Sequence, residues 1–132
     1  MTRVLPDWEN RLSETIAEWR VRPFRWDRDC GRWAAACVIA QTGEDPLHEL
    51  RGQYRSKRGA LKLLAKKSMS ERLDEMFPRI HPALAQRGDI AMTQDNCLGC
   101  VLGGEALFYF EQGMTMIPRA EWTGVWGVGR DG

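Results

Sequence analysis

Histidine is nearly missing from this chain, with two in 132 residues, and that scarcity restricts any chemistry that needs an imidazole base. Neither sign of charge is in surplus. Nineteen basic against eighteen acidic residues leave a net charge of +1, which gives no general attraction for nucleic acid or anionic lipid. No apolar run approaches the ~18 residues a transmembrane helix needs. The opening Met1-Thr2-Arg3-Val4-Leu5-Pro6-Asp7 lacks a signal-peptide core. The expectation is therefore a protein with no nucleic-acid partner and no membrane span, made and kept in the cytosol or assembled there into something larger. Repeats, low-complexity stretches and linkers are lacking too, so one domain over 1–132 is expected.

What is present begins with apolar content of 43% and charged content of 28%, values that exclude a disordered chain. Helical punctuation dominates the first two thirds. Pro6 and Asp7 can start a helix with the stripe Trp8, Leu12, Ile16 and Trp19, ending near Arg20. Asp29 is placed to cap a second helix from Cys30 to Thr42, with Gly43 as its stop. Asp45-Pro46 opens a short helical turn through Leu50. Ser56 precedes a segment from Lys57 to Lys67 carrying Ala60, Leu61 and Leu64, and a last short helix runs from Ser70 to Phe77, before Pro78. This divides the chain into an N-terminal helix (1–22), a helical part (23–80) and a sheet (87–128).

The sheet is read from short apolar or alternating runs at Asp89 to Thr93, Leu98 to Leu102, Ala106 to Phe110, Met114 to Ile117 and Gly124 to Val128. Gly103-Gly104 and Gln112-Gly113 punctuate them as hairpin turns. Helices first and consecutive strands afterwards indicate an α+β domain, with helices packed on one face of an antiparallel sheet.

Four cysteines, Cys30, Cys37, Cys97 and Cys100, are the candidate chemistry. Cys30 opens a helix, where unpaired N–H groups and the positive end of the macrodipole favour a thiolate. The plain alternative is a small buried residue. Cys97-x-x-Cys100 has a chelating spacing, and with Cys30 and Cys37 it raises a zinc or iron–sulfur site. Against that site, residues three apart on a strand point to opposite faces, and Cys30 and Cys37 are ~10 Å apart along a helix axis. No cofactor is therefore assigned. A disulfide between Cys30 and Cys97 is a further possibility, as an oxidation product rather than a framework.

Six tryptophans are many for this length. Most suit core or interface anchors. Basic residues cluster at Arg20, Arg22, Arg25, Arg28 and Arg32, and again at Arg51, Arg55, Lys57, Arg58, Lys62, Lys66 and Lys67; each cluster reads as a docking face or as a solvated helix surface. Trp8, Trp19 and Trp26 flank the first cluster. Together with Arg20, Arg22, Arg25 and Arg28 they form the expected partner surface, at least one tryptophan being covered by a neighbouring subunit.

Trp26, the Asp29-Cys30 helix start, Arg87-Gly88-Asp89-Ile90 opening the first strand, and Gly99 and Gly103 on the second resemble the NlpC family of papain-like cell-wall peptidases. A closer resemblance is to a branch of that family found in tailed phages and prophages. It rests on the same Asp-Cys helix, on Thr42-Gly43-Glu44-Asp45-Pro46, Arg51-Gly52-Gln53-Tyr54, the Arg-Gly-Asp strand start, and the Trp-containing segment Trp122 to Val128. The resemblance covers Phe24 to Val128. It implies a papain-like NlpC-type α+β domain in a tail-tip component, with other tail proteins as partners, located in the host cytoplasm during assembly and then in the virion tail.

One departure from the family pattern bears on mechanism. Laying Cys97-Leu98-Gly99-Cys100-Val101-Leu102-Gly103 on the family's His-Val-Gly-Ile-Tyr-Leu-Gly strand puts Cys97 where the catalytic histidine belongs. A thiol does not replace imidazole as a base that holds a thiolate and returns the proton to a leaving amine. His48 and His81 fall outside that strand. The expectation is that Cys30 and Cys97 face each other at a former dyad in a degenerate, inactive peptidase. An active cysteine hydrolase or acyltransferase on peptidoglycan peptides, with Cys30 as nucleophile, is the alternative.

Overall fold

The computed structural model describes residues 4–21, 29–48, 53 and 56–129. Its first helix, α1, spans Trp8–Arg20 and buries Leu12, Ile16 and Trp19, the stripe set by the sequence period. The second, α2, spans Cys30–Thr42. Asp29 accepts the Arg32 N–H at 3.0 Å, and Gly43 closes the helix at φ 77° in the left-handed region. Almost every residue of α2 is buried, Arg32 and Gln41 included, because α1 packs on one side and the sheet on the other.

Ser56 caps α3 (Lys57–Lys66) by accepting the Gly59 N–H. Leu61, expected on its apolar face, is 58% exposed. The next helix, α4, spans Met69–Met76 and starts earlier than the sequence reading placed it. The reason is its N-cap: the Ser68 hydroxyl accepts the Glu71 N–H at 3.2 Å and donates to the Glu71 carboxylate at 2.9 Å. After α2, Asp45 to His48 form the expected turn, with the Leu47 N–H donated to the Asp45 carboxylate. Leu50 lies outside the described residues.

The strands are β1 (Arg79–Ile80), β2 (Ile90–Met92), β3 (Leu98–Val101), β4 (Glu105–Phe110), β5 (Gly113–Pro118) and β6 (Gly124–Trp126). They form one antiparallel sheet in the order β1-β6-β2-β3-β4-β5. The chain is thus α+β, as expected. Strand β1 was not foreseen, since two residues after Pro78 carry no pattern; its pairing to Val125 and Trp126 makes it a strand. The C-terminal strand returns to the middle of the sheet, with Ile90 opposite Trp126 on one side and Cys100 on the other.

Pleating sorts the side chains. Leu98 and Cys100 point to the helices, into clusters with Val38, Phe77 and Trp126 and with Trp33, Cys37 and Leu107 respectively. Val101, Phe108, Trp122 and Val125 pack on the opposite face. Trp33 reaches from α2 to donate its indole N–H to the Leu107 carbonyl at 2.9 Å. Trp126 donates to the Asp74 carboxylate at 2.8 Å, tying α4 to β6. Asp89 is buried; its carboxylate accepts the Gln86 N–H at 2.7 Å and the Val128 N–H at 3.1 Å. The Arg-Gly-Asp strand start is thereby accounted for as a structural tie between β2 and the end of β6. Among the described residues, no helix is long and apolar enough to cross a membrane.

Candidate functional site

Helix α2 lies along β3, and the two elements carry all four cysteines. Seven residues of helix rise about 10.5 Å and three residues of strand about 10 Å, so the two spacings match. Cys30 lies near Cys97 at one end of the seam, and Cys37 near Cys100 further along it, close enough in each pair to perturb a thiol's protonation; the Cys100 S–H donates to the Val101 carbonyl at 3.8 Å. As expected, the two differ in packing: Cys100 belongs to the helix-side cluster, whereas Cys97 packs against the opposite-face cluster of Val101, Phe108 and Trp122. Cys97 precedes β3, and from that position it also lines a cleft with Cys30. The spacing match was available in the sequence and was the signal for the second pair.

The pairs differ in exposure. Cys37 and Cys100 are each 1% exposed, whereas Cys30 and Cys97 are partly exposed and line a cleft of about 730 Å³. The floor of this cleft is apolar, with Ala34, Val38, Leu73, Phe77 and Leu98; Asp29, Asp95 and Asn96 stand beside the two sulfurs in sequence and share the lining. Cys97 sits on a tight turn in which the Thr93 N–H bonds the Cys97 carbonyl at 3.1 Å and Asn96 takes φ 62°.

Protonation in the outer pair is divided. The neighbouring Cys97 thiol first and burial second push the Cys30 thiol well above its ordinary value, the Cys97 and Asp29 charges adding to the rise. The Leu98 backbone N–H opposes it. The neighbouring Cys30 in turn lowers the pKa of Cys97, against burial and the Asp95 charge. The helix start therefore does not lower the Cys30 thiol, and of the two it is Cys97 that gives up its proton more readily. In the inner pair, burial first and the neighbouring Cys100 second push Cys37 well up, with the Arg87 charge opposing.

The four sulfurs do not converge on one point. Among the described residues, no three His, Cys, Asp or Glu side chains are grouped so as to hold a metal. The cleft lining contains neither histidine. His81 Nδ1 accepts the Ala83 N–H at 3.0 Å at the start of a short 3₁₀ turn, and exposed His48 lies in the turn after α2.

The expected partner surface is altered. Trp19 is 7% exposed, covered by its own chain through an edge-on contact with Tyr109 at 5.2 Å and a tilted contact with Trp33 at 5.6 Å. Trp8 is half-buried against the same cluster, and Arg20 is exposed. Arg32 is buried beside Asp29 rather than on a solvated face. Arg22, Phe24, Arg25, Trp26 and Arg28 lie outside the described residues, as do Arg51, Gly52, Tyr54 and Arg55.

No curated protein matches this chain. The sequence model of DUF6950, a domain of unknown function, matches residues 3–128. That match takes in every element that builds the cleft and both thiol pairs, and the chain belongs to the DUF6950 family.

Proposed function

We propose that the chain is a structural or assembly component of a phage or prophage tail, in its tip region, built on a papain-like NlpC-type fold that has lost its peptidase base. The observation that carries this reading is the Cys30–Cys97 pair: the group facing the helix-start cysteine is a thiol, and neither histidine lines the cleft. A peptidase of this kind needs a base that draws the proton from its nucleophile. Here Cys30 holds its proton to a higher pH than an ordinary thiol. The laying of α2 against β3, with Cys30 opposite the residue that leads into the strand, is the arrangement such a fold requires. With the chemistry gone, contact with other tail proteins is the remaining role, and exposed Arg20 with half-buried Trp8 belongs to the surface that serves it. The chain is then assembled in the host cytoplasm and carried in the virion tail.

The cleft itself favours a second reading, a cysteine hydrolase or acyltransferase acting on peptidoglycan peptides, because its opening reaches Cys30. Incubating the purified chain with peptidoglycan stem peptides, beside a Cys30→Ala control, separates the two. No release above the control is expected; Cys30-dependent release establishes the second reading. The tail role is checked by mass spectrometry of purified tail particles, which should contain the chain, and its absence from them refutes that role.

A further inference from the structure

We propose that Cys30 and Cys97 are a redox-active dithiol, closed into a Cys30–Cys97 disulfide by exchange with low-molecular-weight disulfides that enter the cleft. The proposal does not depend on a tail role. It rests on a difference between two chemically similar pairs on one helix–strand seam: both members of the outer pair line the cleft, and both members of the inner pair are sealed at 1% exposure. Cys30 and Cys97 already lie close enough for each to shift the other's protonation. One of them is carried by a turn outside the strand, held by the Thr93 N–H to Cys97 carbonyl bond, where small shifts disturb no strand pairing.

The exchange runs in two balanced steps. The Cys97 thiolate attacks one sulfur of the small disulfide; that S–S bond breaks, a Cys97–S–S bond forms, and one small thiolate leaves and takes a proton. Cys30 then loses its proton to solvent and attacks the Cys97 sulfur, releasing the second small thiolate, which is protonated in turn. The protein dithiol is oxidised by two electrons and one disulfide becomes two thiols. The Leu98 N–H and the open first turn of α2 stabilise the thiolate that Cys30 becomes in the second step. Asp29 and Asp95, beside the two cysteines, hold that thiolate character in check in the resting pair.

The test is native mapping of the reduced full chain after exposure to oxidised glutathione, quenched in acid. The expected product is a Cys30–Cys97 link, two reduced glutathiones formed per link, and Cys37 and Cys100 still free. In Cys30→Ser the reaction should stop at glutathione on Cys97, and in Cys97→Ser the initial rate should fall on the order of 10-fold or more, as the lower-pKa sulfur is removed. The unsubstituted chain decides the matter even where a serine variant does not fold. Absence of reaction, glutathione persisting on Cys97 without closure, or linkage of Cys37 to Cys100 at an equal rate overturns the proposal.

Discussion

The side-chain amide of Gln41, in the last turn of α2, donates to the Gly88 carbonyl at 2.8 Å and also to the Cys37 carbonyl at 3.1 Å. Gly88 stands at φ 95°, and a Cβ there would be driven into that same amide. The contact pins the inner end of the thiol seam to the entry of β2, so the helix and sheet that carry the cysteines cannot slide past each other without breaking it.

Gly88→Ala should therefore lose about 2 kcal/mol or more, from a left-handed backbone and a steric clash together. Gln41→Ala should cost about 1–3 kcal/mol by leaving a buried carbonyl unpaired. The double variant should cost less than the sum, because removing the amide also removes the clash. Urea midpoints of the three proteins check this, and strict additivity would show that the two residues do not act on each other.

Trp19→Ala should destabilise the isolated chain by about 3–5 kcal/mol, the range for an aromatic removed from a packed core. Its edge-on contact with Tyr109 and its tilted contact with Trp33 are both lost. Thermal unfolding is the measurement. A variant that keeps its melting temperature would return Trp19 to the partner surface that the sequence suggested.

Stability should fall as pH rises above the ordinary thiol value of 9.0, under reducing conditions. Cys37 keeps its proton in the folded state to a higher pH than in the unfolded state. Its contribution is complete below 9.0 and is lost as pH climbs toward the raised value, because only the unfolded chain then releases the proton. Cys30 acts in the same direction, and Cys97, whose pKa is lowered, in the opposite one: its contribution is present above the unfolded value and lost as pH falls through the folded one. Denaturant midpoints from about pH 7 to about pH 10.5 should decline at the alkaline end, and Cys37→Val should decline less. Parallel curves would mean that Cys37 does not titrate on unfolding.

The sequence by itself determined what depends on near neighbours. Asp29 before Cys30 and Gly43 after Thr42 set both ends of α2, since a cap needs only the three or four residues beside it. The stripe Leu12, Ile16 and Trp19 set the buried face of α1, and the glycine-punctuated apolar runs set the five longer strands. Tertiary structure decided the rest. Strand β1 exists because Trp126 and Val125, more than forty residues away, pair with it. Trp19 is a core residue because Trp33 and Tyr109 come from two other elements to cover it. The Cys30 thiol is raised, despite the helix start, because a second thiol and burial outweigh the Leu98 backbone N–H. Helix starts, turns and periods are fixed by local geometry, whereas burial and protonation depend on which distant atoms displace water from a side chain, and only the folded chain brings those atoms together.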